Sequence, residues 1–160
     1  MPIDNSLKAA LVRAAALCDR AETCSSEIEA KLARWGLEEA GIRAVADKLV
    51  ELGYVDDRRY ARAFAHSKMA YSGWGKFKIS MALRAKSIPR NLITEALDGL
   101  DPEEYGSVAE RVVRAKLRRT GGNAADYNTR MKVLRFAASR GFETGLIVSI
   151  LSEIAKGDDD

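Results

Sequence analysis

The sequence predicts an all-α protein made of three tandem three-helix units stacked into an elongated, curved rod. Composition is the first reason. Among 160 residues only three are proline, 47% are apolar, and Ala, Leu, Arg, Lys and Glu outweigh any β-branched runs. Such a chain has a core to bury and favours helix throughout. An internal repeat is the second. Ile28, Leu32, Gly36, Leu37, Ile42, Val45 and Leu49 recur 51 residues later as Ile79, Leu83, Ser87, Ile88, Ile93, Ala96 and Leu100. A further 54 residues on they recur as Val133, Ala137, Gly141, Phe142, Ile147, Ile150 and Ile154. Six positions are apolar in every copy, and the seventh is small, as the end of a helix requires. Each copy reads as helix, tight turn, helix, preceded by a further helical stretch. A repeat of this length marks an array of helical units. One such unit buries little apolar area alone, so neighbours must pack on one another. A single compact bundle with accidental self-similarity is the competing architecture.

The elements follow in order. The first unit covers 1–55. Its opening, MPIDNSLKAALVRAAALCDR, carries Asp4 and no leading basic cluster, which argues against a secretion signal. Ser26 with Glu29 offers a capping box for the helix through Leu32. The second unit, 56–100, starts with Asp56 or Asp57 capping a helix from Arg58. Gly73 and Gly75 in YSGWGKFKI break that helix and feed a new one through Ile79 and Leu83. Ser87 is its turn, and Pro89 occupies the first position of the next helix. The third unit, 101–156, opens on Asp101-Pro102-Glu103-Glu104, a strong start signal. TGGNAAD, at 120–126, makes a longer linker, and GDDD, at 157–160, is expected to be a disordered acidic tail. Nine helices and no sheet are expected.

Several function classes have little support. No run of about 18 apolar residues suggests a membrane span. Cys18 and Cys24 are the only cysteines, and they read as small buried groups suited to a reducing cytoplasm. His66 is the only histidine, which excludes a two-cysteine, two-histidine zinc site. It reads as a surface or helix-packing residue. No GxxxxGK(S/T) loop is present, GWG follows no strand, and the paired acids sit where helix caps are wanted. No catalytic group, cofactor or metal is expected.

Charge is the informative feature. The net charge of +3 hides a segregation along the chain. Residues 1–57 hold seven Lys/Arg and eleven Asp/Glu, whereas 58–94 hold nine Lys/Arg and no acid. Residues 95–110 carry six acids and no base, and 111–140 carry nine bases against Asp126 alone. Solubility alone is served by mixed signs, so segregated positive charge points to a phosphate-rich partner.

In VAERVVRAKLRR (108–119), Arg111, Arg114 and Arg118 fall opposite Ala109, Val112, Val113 and Leu117, forming a row that can track successive phosphates. A solvated helix face is the plain alternative. Arg119, with Arg130, Lys132 and Arg135 on the next helix, extends the set. In the second unit the candidates are Arg58, Arg62, Lys68, Lys76, Lys78, Arg84 and Lys86. Ile79, Ala82, Leu83 and the Lys86 stem form a core side there, with Phe77, Met81 and Arg84 facing away. The N–H groups of this helix start, beside Lys76 and Lys78, make a candidate phosphate site. Trp74 is the candidate for stacking on a base, or else it fills the seam between units. Phe77, Tyr60 and Phe64 read as packing residues. Two rival functions remain: a helix-turn-helix transcription module reading duplex base edges, and a helical scaffold that binds only protein.

These residues also match a known pattern. GYVDDRRYARAFAHSK (53–68) followed by GWGKFKISMALRAKSI (73–88) resembles the central signature of the RecX family, bacterial modulators of the RecA recombinase. RFAASRGF (135–142) resembles that family's closing motif, and SSEIEAKLARWG (25–36) its opening one. Ser87 departs from the usual turn glycine, and Phe77 and Met81 stand where the pattern tends to be more polar. The resemblance implies a non-enzymatic, cofactor-free inhibitor that binds RecA filaments on single-stranded DNA and lies along the filament groove. It implies restraint of filament growth, ATP hydrolysis, strand exchange and repressor cleavage, hence a role in recombination, DNA repair and the SOS response. A cytoplasmic monomer is expected, with duplex DNA as a second ligand.

Overall fold

An aspartate opens the first helix of every unit. Asp4 accepts from the Leu7 N–H ahead of α1 (Asn5–Arg20), Asp56 from Arg59 ahead of α4 (Asp57–Ala70), and Asp101 from Glu104 ahead of α7 (Pro102–Thr120). Each carboxylate satisfies a backbone donor that has no partner inside its own helix. The computed structural model describes residues 2–159, and among them the chain forms nine α-helices and no strand. The other six are α2 (Ser25–Arg34), α3 (Glu39–Glu51), α5 (Lys76–Ala85), α6 (Arg90–Asp98), α8 (Tyr127–Ser139) and α9 (Thr144–Asp159).

The repeated small position is the same turn made three times. Gly36, Ser87 and Gly141 all adopt positive φ, at 89°, 61° and 96°. The residue after each donates its N–H back to the buried repeat residue five positions earlier: Leu37 to Leu32 O at 3.2 Å, Ile88 to Leu83 O at 3.1 Å and Phe142 to Ala137 O at 3.1 Å. This closes the helix by the left-handed capping motif. Ser87 is the one non-glycine residue of positive φ among the described residues.

Two cores result. Leu7, Ala10, Ala14, Ile28, Leu32, Val45, Leu49 and Val55 form one, confined to α1–α3 and the segment that follows. The other runs without a break from Tyr60 to Ile154, across α4–α9, and takes in Cys24 from the first unit.

The joints between units repeat as well. Neither α2 nor α5 has a side-chain cap of its own, and the following unit supplies one. Asp57 accepts from Ser25 N at 2.8 Å, and Ser26 Oγ donates to Lys86 O at 2.6 Å. Likewise Gly75 N donates to Arg140 O at 2.7 Å, Phe77 N to Gly141 O at 3.0 Å and Lys76 N to the Tyr105 hydroxyl at 3.0 Å. Lys86 and Arg140 both immediately precede a left-handed turn residue, so each joint sets a helix start against the next unit's turn. In the third unit α8 is capped instead by its own Asp126, which accepts from Thr129 N at 3.0 Å. The surface reflects the stacking: 9627 Å² is accessible, against about 7,900 Å² for a compact monomer of this mass.

Three local expectations are corrected. Ser26 lies inside α2 and binds the second unit, so it makes no capping box with Glu29. Pro89 is the N-cap of α6 and not its first residue. Helix α9 continues through 157–159, where a disordered tail was expected, while Asp160 lies outside the described residues.

Candidate nucleic-acid interface

The glycines of YSGWGKFKI serve the joint between the second and third units. A Cβ on Gly75 would sit 2.3 Å from the backbone carbonyl of Gly141, so only glycine lets the two backbone segments touch. The N–H groups at the start of α5 are spent on Arg140 O, Gly141 O and the Tyr105 hydroxyl. The phosphate site expected there is therefore filled by the protein itself. Tyr105 completes the joint by donating to Glu143 at 2.5 Å. Its burial, and then that hydrogen bond, push the phenol well above its ordinary pKa.

The surrounding cations divide into three groups. Some are spent on contacts within the protein. The Lys86 ammonium pairs with Glu27, whose carboxylate also accepts from Thr23 Oγ1 at 2.9 Å. Arg130 donates to Ala124 O at 3.0 Å and Ser152 Oγ at 3.3 Å, half-buried. Both are structural, a correction to their place among the phosphate candidates. A second group is matched by acid. Glu95 on α6 meets Arg58 at 2.8 Å and Arg62 at 3.5 Å, and Glu110 meets Arg114 at 3.0 Å. These pairs are exposed, so a polyanion can still compete for the guanidinium groups.

Aromatic rings hold another set. The Lys68 and Lys78 ammonium groups lie over the Trp74 ring, at 4.8 and 4.5 Å from its centroid, and Lys76 lies over Tyr105 at 5.0 Å. Trp74 also meets Phe64 edge-on at 6.3 Å. The indole is thus half-buried beneath two cations. Phe77, read as a packing residue, is 68% exposed, with Met81 50% exposed one turn on.

The row on α7 is where the sequence reading and the geometry meet. Arg111, Arg114 and Arg118 line one shallow groove with Ser107 and Glu110, and all three are exposed. Arg111 also donates to Ala70 O at 3.2 Å, tying α7 to the end of α4. Arg118, Arg119, Lys132 and Arg135 are exposed, and no carboxylate among the described residues pairs with them. Asp158 shares a cleft with Arg114 and Arg118. Arg84 lines a separate cleft between α5 and α6 with Arg90, Ile88, Ile93, Thr94 and Leu97; Arg90 was not among the candidates. Tyr71 escaped the sequence reading as well, because exposure of a lone aromatic at a helix end has no periodic signature. No described helix is long and apolar enough to cross a membrane.

Fold and surface together define a tandem three-helix protein, cross-capped from unit to unit, with an arginine row along one exposed helix. Two family models match, described as the second three-helix domain of RecX over residues 56–97 and the third over 103–151. A regulatory protein RecX from Mycolicibacterium vanbaalenii is 33% identical over 149 residues, covering 88% of this chain and 81% of that one. Another from Mycobacterium sp. (strain JLS) is 30% identical, covering 89% and 79%. The chain belongs to the RecX family of regulatory proteins. The crystal structure of RecX from Lactobacillus salivarius superposes with a TM-score of 0.82 at 21% identity, covering 92% of this chain and 96% of that one. A second crystal structure of a regulatory protein RecX gives 0.81 at 22% identity, covering 94% and 71%. These two likenesses establish the shared fold.

Proposed function

We propose that this chain is a non-enzymatic negative modulator of the RecA recombinase that binds filaments of RecA on single-stranded DNA along their groove. Bound there, it restrains filament extension, ATP hydrolysis, strand exchange and coprotease activity. The observation that carries the reading is the exposed arginine row of α7, continued by Arg119 and accompanied by Lys132 and Arg135 on α8. Such cations position a protein on a phosphate backbone without reading sequence. The acid-rich first unit supplies opposite charge for basic patches on the recombinase. An elongated array that touches several protomers gains effective concentration at each successive contact, so individually weak contacts suffice. The direct test is to titrate the protein into preformed RecA filaments on single-stranded DNA while following ATP turnover and filament length. Both should fall together with added protein. If turnover and length both hold at saturating protein, the proposal is wrong.

A further inference from the structure

Tyr71 is the most exposed of the large apolar side chains, at 83%, yet its backbone is held on both sides. Arg111 donates to the carbonyl of Ala70 at 3.2 Å, and the Arg140 guanidinium donates to the carbonyl of Ser72. The Tyr71 N–H itself closes α4 onto Ser67 O at 2.9 Å. The ring meets His66 edge-on, at 6.4 Å between centroids and 88° between planes. An edge-to-face contact can cover at most one face of either ring, and at 83% exposure Tyr71 keeps a face open to solvent. The result is a solvent-facing ring on an anchored backbone, beside the head of the arginine row.

We propose that Tyr71 stacks on an unpaired nucleobase whose flanking phosphates are held by Arg111, Arg114 and Arg118. The inference rests on the phosphate-binding reading above and adds a preference for single strands, because a paired base offers no free face to a side chain at the groove edge. Arg111 spends one guanidinium donor on Ala70 O and keeps others for phosphate. Along α7, Arg111 to Arg118 spans about 10 Å at the rise of an α-helix. That is about three nucleotide steps at the per-strand spacing of duplex DNA. An aromatic platform at one end of a cationic track is the arrangement by which sequence-indifferent single-strand binders work. Trp74 is a poorer platform because two ammonium groups already lie over it. Phe77 is exposed but sits on α5, whereas Tyr71 directly follows Ala70, whose carbonyl Arg111 holds.

Binding of a labelled oligothymidylate and of a duplex of equal length to the full chain tests this, using wild type, Tyr71→Ala, Tyr71→Leu, Tyr71→Phe and Phe77→Ala. Tyr71→Ala and Tyr71→Leu should each lose roughly tenfold in single-strand affinity while duplex affinity moves by less than about twofold. Tyr71→Phe should bind like wild type, and all variants should keep the same salt dependence. In Tyr71→Trp, the indole fluorescence added to the wild-type signal of Trp35 and Trp74 should be quenched by oligothymidylate and not by duplex. Equal losses on both ligands, no loss on single strands, or a loss seen only with Phe77→Ala would each overturn the stacking role. Should wild type bind neither ligand at low salt, the phosphate reading falls and this inference with it. If wild type binds with a steep salt dependence and Tyr71→Ala is silent, only the stacking role fails.

Discussion

A Cβ on Gly75 would stand 2.3 Å from Gly141 C and 2.4 Å from Phe142 N, and one on Gly141 would stand 2.4 Å from Lys78 N. Backbone on both sides leaves nothing flexible to move, so Gly75→Ala should destabilise by about 2–4 kcal/mol. A change of less than about 0.5 kcal/mol by urea unfolding would mean the joint is looser than described. Ser87 gives the opposite sign. An L-residue in the left-handed region carries a penalty that glycine escapes. Ser87→Gly should therefore stabilise by about 0.5–1 kcal/mol, read as a higher melting temperature; a lower one would contradict it. The turn role of Gly36, Ser87 and Gly141 was legible in the sequence because helix ends are local. The close approach at Gly75 was not, since its neighbour is Gly141, at the end of α8, three helices beyond α5 and in the next unit. Pairing of that kind is invisible to any local window.

Helices decide which charges stay available. Along the chain, 58–94 is purely basic and 95–110 purely acidic. Packing of α6 on α4 brings Glu95 to Arg58 and Arg62, and the start of α7 brings Glu104 to His66 at 3.1 Å. Segregation in sequence is thus partly cancelled in space, and the second unit's cationic block shrinks more than the α7 row does. That row was readable because its members lie on one helix at fixed spacing. The partners of Lys86 and Arg130 were not, because they come from other elements, α2 for Lys86 and the 120–126 linker and α9 for Arg130.

The polar joint between the first two units carries its own pH dependence. Burial alone would raise the Glu27 carboxyl, but the hydrogen bonds from Lys86 and Thr23 and the Lys86 charge hold it below its ordinary value of 4.5. The Glu27 hydrogen bond raises Lys86 above its ordinary 10.5, outweighing burial. Glu27 thus contributes stability above about pH 4.5 that is lost as pH falls through its lowered value. Lys86 contributes below about pH 10.5 and loses this as pH rises through its raised one. Protection of the α1–α3 amides, taken relative to their intrinsic exchange rates, should fall on acidification below about pH 4.5 before that of α4–α9. In Glu27→Gln this acid-side step should be largely absent, and an unaltered step would show that the pair does not hold the joint.

For the whole molecule, two cores predict two cooperative units. The first unit has its own core, whereas the second and third share one. Native-state hydrogen exchange should therefore show α1–α3 opening independently and α4–α9 as a single more stable block. One uniform opening energy across all nine helices would contradict that division. The array itself was readable in advance, because seven positions recurring three times demand three copies of one packing solution. The division into two cores was not, since it depends on whether a joint is apolar or polar, and that is settled by residues outside the repeat. The joint of the first unit with the second is made by Glu22, Glu27, Asp57, Arg59 and Lys86, whereas the other adds to its backbone contact the apolar side chains of the shared core, among them Trp74, Val112 and Phe142.

The claim on which the functional account rests is that exposed cations of the third unit hold a phosphate backbone. Measuring affinity for single-stranded DNA against salt tests it most directly. With about six phosphates neutralised, the log–log slope should lie near −4. Changing Arg114, Arg118 and Arg119 together to Glu should flatten it by about 2 while helical content and melting stay as in wild type. A wild-type slope near zero, or a folded triple variant with an unaltered slope, would contradict the account.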